Sequence, residues 1–168
     1  SIDTSFNSGG SGFDDAVGSI TIQNDGKIIV FGGFTTYNGV NRPDRLVRLN
    51  SNGSIDTSFN SGGSGFDGVF SLVFISVKTQ TDDKILVGGD FTTYNGVSCP
   101  VNLVRLNSNG TLDTSFNSGG SGFNNSVTSI ATQTDGKILV GGVFTTYNGV
   151  NCPDKLVRLN TNGSIDTS

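Results

Sequence analysis

The chain has 168 residues, a net charge of −4 and only 14% charged residues. This acidic balance, with no run of Lys or Arg, disfavours nucleic-acid binding. No apolar run approaches the roughly 20 residues of a membrane-spanning helix. The sequence contains no His, the commonest general base, and this disfavours catalysis.

The sequence repeats itself with a long period. S-I-D-T-S-F-N-S-G-G-S-G-F begins at Ser1 and Ser54, a close variant begins at Thr111, and S-I-D-T-S begins again at Ser164. Such periods indicate solenoids, propellers or arrays, in which each unit is one supersecondary element. The offsets of 53–57 residues predict repeat 1 over 1–53, repeat 2 over 54–110, repeat 3 over 111–163 and the start of a further repeat over 164–168. The absence of Met leads us to expect a processed product or part of a longer protein.

Each repeat predicts two β-hairpins. In repeat 1 the first spans Ser19–Phe34 and turns at N-D-G, and the second spans Arg45–Phe59 and turns at S-N-G. A three-residue hairpin loop ends in a left-handed residue, which Gly adopts without strain. This register predicts structural cross-strand ion pairs, each contributing about 0.2–1 kcal/mol. The pairs are Arg48 with Asp56, Arg105 with Asp113, and Arg158 with Asp166.

The strands K-I-I-V-F and K-I-L-V-G are almost continuously apolar, which is typical of strands covered on both faces. The chain is therefore predicted to be all-β, with β-propeller blades of four antiparallel strands each. A β-helix is the alternative. The predicted blades are Val17–Phe59, Val69–Phe116 and Val127–Ser168. Repeat 2 carries four extra residues within Val69–Lys78, to which we assign no function.

The motif D-G-K-I-L-V-G-G-x-F followed by L-V-R-L-N-x-N-G-S-I-D-T-S-F resembles the delta-60 repeat, a β-propeller repeat of bacterial secreted and surface proteins and of phage proteins. Repeat 1 matches over Gly26–Phe34 and Leu46–Phe59, and repeat 3 over Gly136–Phe144 and Leu156–Ser168. Repeat 2 departs from the core motif at Asp83. The resemblance implies a propeller in an extracellular, cell-surface or virion setting, such as a phage tail fibre. It implies no activity and no cofactor.

The two long connections of repeat 1, F-N-S-G-G-S-G-F-D and T-T-Y-N-G-V-N-R-P-D, recur with small changes in the other repeats and are predicted to lie on one face of the blades. Binding residues concentrate in loops on a rigid scaffold, and Tyr with Asn offers amphipathic contact area. One interpretation is a repeated ligand surface for a glycan or a surface protein. The other is that each Tyr packs its own loop and each Asn-Gly serves the turn. The candidate ligand-binding residues are Tyr37, Asn38, Tyr94, Asn95, Tyr147 and Asn148.

No metal site is predicted, because N-S-N-G-S-I-D lacks the leading Asp and closing Glu of a calcium loop. The paired carboxylates Asp14 and Asp15 occur in one repeat only, and no enzyme is expected. A glycosidase that uses two carboxylates is the enzymatic alternative. Cys99 and Cys152 occupy equivalent positions in adjacent repeats. Such positions normally lie more than about 7 Å apart, so free or interchain thiols are expected.

These patterns predict a non-enzymatic propeller repeat module for structural display and adhesion through the long-loop face. The alternative is a purely architectural, self-assembling building block of a fibre, appendage or shell. Propellers typically have roughly four to eight blades, so three blades would leave two open flanks. We expect these flanks to meet further repeats of the same chain or head-to-tail copies, of which a two-chain, six-blade ring is one closure. No nucleic-acid partner and no membrane insertion are expected.

Overall fold

The computed structural model of the protein describes residues 3–42, 45–67, 75–152 and 154–168. Within these residues the chain forms fifteen β-strands and no helix. Repeat 1 contains β1 (Val17–Ile22), β2 (Ile28–Gly32), β3 (Thr36–Tyr37), β4 (Val40–Asn41) and β5 (Leu46–Leu49). Repeat 2 contains β6 (Ser76–Thr79), β7 (Ile85–Gly88), β8 (Thr93–Tyr94), β9 (Val97–Ser98) and β10 (Leu103–Leu106). Repeat 3 contains β11 (Val127–Thr132), β12 (Ile138–Gly142), β13 (Thr146–Tyr147), β14 (Val150–Asn151) and β15 (Leu156–Leu159).

Each repeat builds one antiparallel sheet with its apolar strand in the middle. The strand orders are β1-β2-β5, β6-β7-β10 and β11-β12-β15. Ile20 pairs with Val30, and Ile29 pairs with Arg48, so the middle strand is bonded along both edges. Because neighbouring repeats also cover the sheets, the residues of β2 and β7 are almost entirely buried, as the continuous apolar runs predict.

The turns between these strands follow the predicted three-residue register. Gln23 N donates to Lys27 O, and Asn50 N donates to Ser54 O, each at 2.8–2.9 Å. Gly26 and Gly53 hold the left-handed positions with φ of +79° and +84°. Asp83 takes the same position in repeat 2 with φ of +62°. Asp reaches this region more readily than most residues, so the hairpin is kept there.

The fourth strand of each predicted blade is reduced to a single β-bridge. Leu49 bridges Ile55, and Leu106 and Leu159 bridge Leu112 and Ile165 in the same way. In repeat 1 the chain leaves the sheet at Asp56, whose Oδ1 accepts hydrogen bonds from the backbone N and the hydroxyl of Ser58. Such a local turn competes with strand extension. The all-β, antiparallel architecture is therefore confirmed, but each sheet has three strands and a bridge where four strands were predicted.

The predicted long loop T-T-Y-N-G-V contains a small hairpin of its own. β3 pairs with β4, β8 with β9, and β13 with β14. In repeat 1 the two turn residues Asn38 and Gly39 both have positive φ, at 51° and 73°. Left-handed geometry at both positions is that of the type I′ turn, for which Asn-Gly is the favoured sequence.

The core runs continuously from one repeat into the next. One cluster joins Ile29, Phe31 and Leu46 of repeat 1 to the buried residues of repeat 2, and another joins Leu86 and Leu103 of repeat 2 to those of repeat 3. The face that each sheet turns towards the following repeat is thus part of that repeat's core. Most of the four-residue insertion within Val69–Lys78 lies outside the described residues, which resume at Ile75 before β6.

Candidate functional site

The three tyrosines predicted to form a ligand surface lie in the core. Tyr37, Tyr94 and Tyr147 are only 2%, 1% and 0% exposed. Each hydroxyl donates to the carbonyl oxygen of a turn glycine sixteen residues further on, at 2.6–2.7 Å: Gly53, Gly110 and Gly163. The ring of each packs against a phenylalanine, Phe13, Phe66 or Phe123, at centroid distances of 4.3–4.5 Å. Burial of the rings and the bonds to glycine hold these side chains inside the fold, which is the geometry of the packing interpretation rather than of an exposed ligand surface.

The asparagines that follow the tyrosines are bonded to their own repeat. In repeat 2, Asn95 Nδ2 donates to Asn60 Oδ1 at 2.7 Å, and Asn60 Nδ2 donates back to Asn95 Oδ1 at 3.3 Å. Asn95 Oδ1 also accepts the backbone N–H of Gly65 at 2.8 Å. Asn38 makes the same contacts with Asn7 and Gly12 in repeat 1, and Asn148 with Asn117 and Gly122 in repeat 3. We call each set of contacts an amide clasp.

The partner asparagine of each amide clasp also reaches the turn of the second hairpin. Asn60 N donates to Asn109 O at 2.9 Å, next to Gly110. A Cβ at Gly110 would lie 2.9 Å from Asn60 N, so the turn and the loop can approach only with glycine there. The amide clasp and the tyrosine bond therefore fasten three distant segments of one repeat together: the glycine-rich loop, the small hairpin and the second turn.

A carboxylate or amide holds the start of each small hairpin. Asp14 Oδ1 accepts the backbone N–H groups of Thr35 and Thr36 at 2.8 and 2.7 Å, and Asp14 Oδ2 accepts the Thr35 hydroxyl. These bonds, with that from Thr36 N largest, lower the pKa of Asp14 to about 2. Asp67 has the same role in repeat 2, and Asn124 in repeat 3. Sequence reasoning missed this role, although the three residues occupy equivalent positions.

The predicted arginine–aspartate residues are brought together across each second hairpin. Arg48 Nη2 lies 3.0 Å from Asp56 Oδ2, and Arg105 Nε lies 2.8 Å from Asp113 Oδ2. Arg158 Nε contacts Asp166 Oδ2. A lysine from the first hairpin joins each aspartate: Lys27, Lys84 or Lys137, at 2.8–3.0 Å.

The first two of these pairs are buried. Arg48 and Arg105 are 7% and 8% exposed, and their guanidinium carbons stand over the rings of Phe59 and Phe116 at 4.9 and 4.7 Å. Burial raises the pKa of Asp113, but hydrogen bonds from Lys84, Ser115 and Arg105 outweigh it, so the pKa is held well below its usual range. Each carboxylate is thus a fixed negative charge in a structural network.

The two cysteines are free and buried. Burial, aided by the charge of Asp67, raises the pKa of Cys99 to about 12, and burial also raises the pKa of Cys152. Cys99 lines a cavity of about 340 Å³ together with Arg105 and Phe116. Because the thiolate is the nucleophile and metal ligand, the raised pKa values keep both thiols protonated and disfavour their reaction at neutral pH.

Polar concavities recur beside the glycine-rich loops. One of about 430 Å³ in repeat 1 is lined by Ser8, Gly10 and Asn38 among others, and one of about 420 Å³ in repeat 3 is lined by the equivalent Ser118, Gly120 and Asn148. Among the described residues there is no group of three His, Cys, Asp or Glu side chains placed to hold a metal ion. The same part of the chain forms no helix long and apolar enough to cross a membrane.

These repeated three-stranded sheets, closed by identical loop contacts, define a repeat protein of the β-propeller class. The chain belongs to the family described as domain of unknown function (DUF5122) beta-propeller, whose profile matches residues 23–59, 80–116 and 133–168. The three matches together cover more than half of the chain. No curated protein and no solved structure matches it.

Proposed function

We propose that this chain is an architectural β-propeller module without a catalytic role, and that it belongs to an extracellular, cell-surface or virion appendage. The proposed setting is supported by the resemblance of its double motif to the delta-60 repeat. The proposed role is supported by the amide clasps, the tyrosine–glycine bonds and the buried arginine–aspartate pairs, which recur in equivalent positions along the chain.

The observation that carries the architectural role is that the polar side chains of the long loops are hydrogen-bonded to other residues of the same repeat. The Asn95 side-chain oxygen accepts hydrogen bonds from Gly65 N and Asn60 Nδ2, and its side-chain nitrogen donates to Asn60 Oδ1. The Tyr94 hydroxyl donates a hydrogen bond to Gly110 O. A ligand that recruited these groups would have to break contacts that fasten the repeat together, at a cost comparable to leaving buried polar groups unpaired.

The carboxylates of the loop side also support a structural role. A general acid needs a pKa near the working pH, but hydrogen bonds from the backbone N–H of Thr36 and from Thr35 lower the pKa of Asp14 to about 2. Its counterpart in repeat 3 is Asn124, which makes the same bonds to Thr145 and Thr146. A position that accepts Asp or Asn equally requires an acceptor oxygen and no titratable proton.

Adhesion is the second candidate, and the recurring concavities favour it. Those of repeats 1 and 3 have nearly the same volume and equivalent linings of Ser, Asn and Gly. Hydroxyl, amide and backbone groups are hydrogen-bonding partners suited to a saccharide. Ser8 and Ser118 lie at the two concavities, are exposed and form no part of an amide clasp, so a large side chain at each position would fill the space without removing a clasp residue.

One experiment separates these candidates. The purified wild-type chain, the Ser8→Tyr/Ser118→Tyr variant and the Asn95→Ala variant are each passed over an immobilised panel of oligosaccharides. The thermal stability of each is measured in parallel. The architectural role predicts no retention of the wild-type chain and reduced thermal stability of Asn95→Ala. Retention of the wild-type chain would contradict it, and loss of that retention in the Ser8→Tyr/Ser118→Tyr variant would assign adhesion to the concavities.

A further inference from the structure

The contact between neighbouring repeats follows one pattern twice. Val77 N of repeat 2 donates to Ser19 Oγ of repeat 1 at 3.0 Å, and Ile130 N of repeat 3 donates to Ser76 Oγ of repeat 2 at 3.1 Å. Apolar side chains also pack in this contact. Val127 of repeat 3 lies so close to Gly88 of repeat 2 that a Cβ on Gly88 would lie 2.5 Å from the Val127 side chain. The first strand of each repeat therefore docks on the sheet of the repeat before it.

An arginine fastens this contact at its other end. Arg48 Nη1 of repeat 1 donates to the carbonyl of Ser108 in the second turn of repeat 2, at 2.6 Å. Arg105 Nη1 of repeat 2 donates to the equivalent carbonyl of Thr161 in repeat 3, also at 2.6 Å. The arginine of each of these repeats thus makes a charge-assisted hydrogen bond to the second turn of the following repeat.

The two ends of the described chain expose the two halves of this same contact. On repeat 1, Ile20 is 59% exposed, while its counterparts Val77 and Ile130 are 5% and 8% exposed. We call this surface, with Val17 and Ile20 at its centre, the leading flank.

On repeat 3, Leu156 is 58% exposed, while its counterparts Leu46 and Leu103 are each 1% exposed. The Arg158 side chain is 37% exposed, and its Nη2 donates to Ser168 O, whereas Arg105 donates to the following repeat. We call this surface, with Leu156 and Arg158 at its centre, the trailing flank.

We propose that the leading flank of one copy of this chain docks on the trailing flank of a second copy, in the register of the internal repeat contacts. The partner is a second copy because the two flanks continue an interface that the chain already forms twice with itself. This inference rests on the architectural role proposed above and names its partner. The contact joins unlike surfaces, so it either closes into a ring or propagates.

The register assigns individual partners across the new contact. Arg158 of one copy donates to the carbonyl of Ser51 in the second copy, as Arg48 and Arg105 do to Ser108 and Thr161. Ser129 Oγ accepts the backbone N–H of Ile20 in the second copy. Because Asp3–Ser5 of the second copy is equivalent to Asp166–Ser168 of the first, only one of these two segments occupies the place beside Arg158 in the assembly.

Sedimentation velocity on the purified chain over a range of micromolar concentrations tests the proposal. The variants Ile20→Glu and Leu156→Glu each place a charge at the centre of one flank, at a position that is exposed in the single chain. Val97→Glu is the matched control, because Val97 is 60% exposed on a small hairpin away from both flanks. Thermal unfolding of all three variants checks that each remains folded.

The wild-type chain is expected to associate, and each flank variant to weaken its association constant by at least about tenfold, because an unpaired charge is costly to bury. Val97→Glu is expected to associate like the wild type. A mixture of Ile20→Glu with Leu156→Glu keeps one intact leading flank and one intact trailing flank, and is expected to form mixed dimers that neither variant forms alone.

A monomeric wild-type chain would overturn the proposal, as would flank variants that associate like the wild type or a mixture that associates no better than its components. A monomeric result would leave the architectural role standing with other neighbours at the flanks. Saccharide retention, in contrast, would contradict the architectural role, and sedimentation of the flank variants would still measure the flank contact separately.

Discussion

Tyr94 donates its buried hydroxyl to the carbonyl oxygen of Gly110 at 2.6 Å, and this bond fixes the small hairpin of repeat 2 against its second turn. Equivalent bonds join Tyr37 to Gly53 and Tyr147 to Gly163. A tyrosine whose ring lies in the core and whose hydroxyl is bonded to the backbone stabilises its loop. The residues that resemble a binding surface in sequence therefore hold the repeat together.

The amide clasp of repeat 2 is expected to contribute measurably to stability. Asn95→Ala removes both side-chain bonds to Asn60 and leaves the Gly65 N–H without its acceptor, and we expect a loss of about 1–3 kcal/mol in the free energy of unfolding. Asn95 also has a φ of 52°, which strains Ala. Asn95→Gly removes the same bonds without that strain, so its loss, measured by urea denaturation, isolates the hydrogen bonds. Equal stability of Asn95→Gly and the wild type would show that the amide clasp contributes nothing.

Two glycines with similar backbone angles are expected to differ sharply in their tolerance of Ala. Gly110 has a φ of +89°, and a Cβ there would lie 2.9 Å from Asn60 N and 3.0 Å from the Phe59 ring. Gly96 has a φ of +73°, and a Cβ there would meet nothing within 4 Å. Both substitutions carry the left-handed strain of about 1–2 kcal/mol, but only Gly110→Ala adds the clash. Thermal unfolding should therefore rank Gly110→Ala well below Gly96→Ala, and equal midpoints would contradict the close approach.

The hairpins are the part of this fold that local sequence predicts well. The turn at Gly53 fixes the register of the next few residues, so the positions of Arg48 and Asp56 follow from counting along the chain. The small hairpin was also predictable, because Asn38-Gly39 between two β-favouring pairs is a type I′ signal. The shortened fourth strand had a signal too, since Asp56 and Ser58 form a local turn that competes with strand extension.

The burial of Tyr37 was not predictable from local sequence. Its polar, glycine-rich surroundings are those of an exposed loop, and its partner Gly53 lies sixteen residues away on another hairpin. The same holds for Asn7 and Asn38, which are thirty-one residues apart and meet only when the small hairpin folds back over the glycine-rich loop. Both contacts depend on tertiary packing, so the binding interpretation and the packing interpretation have the same sequence pattern.

The buried arginine network is expected to be worth more than a surface ion pair. Arg105 contacts Asp113, Thr161 O and the Phe116 ring, and it is 8% exposed. Removing one partner of a buried pair costs about 3–5 kcal/mol, and since Lys84 still neutralises Asp113 we expect Arg105→Ala to lose about 3 kcal/mol. Arg158→Ala is the matched control, because the Arg158 side chain is 37% exposed and should lose less. Denaturant midpoints that fall equally in both variants would contradict this difference.

Stability is expected to fall in acid, because the aspartates of the ion pairs titrate below their ordinary value. For both Asp56 and Asp113, burial raises the pKa, but hydrogen bonds from Ser58 and Lys27, or from Lys84 and Ser115, outweigh it and lower the pKa below 3.8. As the pH falls below about 4, the unfolded chain binds protons before the folded chain does. The stabilisation is therefore complete at neutral pH and is lost progressively as the pH falls from about 4 towards the folded pKa values.

Thermal unfolding between pH 7 and pH 3 measures this dependence. The midpoint should change little from about pH 7 to 5 and fall below about pH 4. The Asp56→Asn/Asp113→Asn variant should be less stable at neutral pH and less sensitive to acid. A wild-type midpoint that stays constant down to about pH 3 would show that these carboxylates are not stabilised in the folded chain.

Amide hydrogen exchange at Gly65 and Gly122 tests most directly whether the long-loop residues act as structural locks. Each of these N–H groups donates to the side chain of an amide-clasp asparagine, Asn95 or Asn148, at 2.8 Å. Slow exchange is expected at both glycines in the wild-type chain, and in Asn95→Gly fast exchange is expected at Gly65 while Gly122 stays protected. Exchange of both amides in the wild-type chain at the rate of an unstructured loop would contradict this expectation.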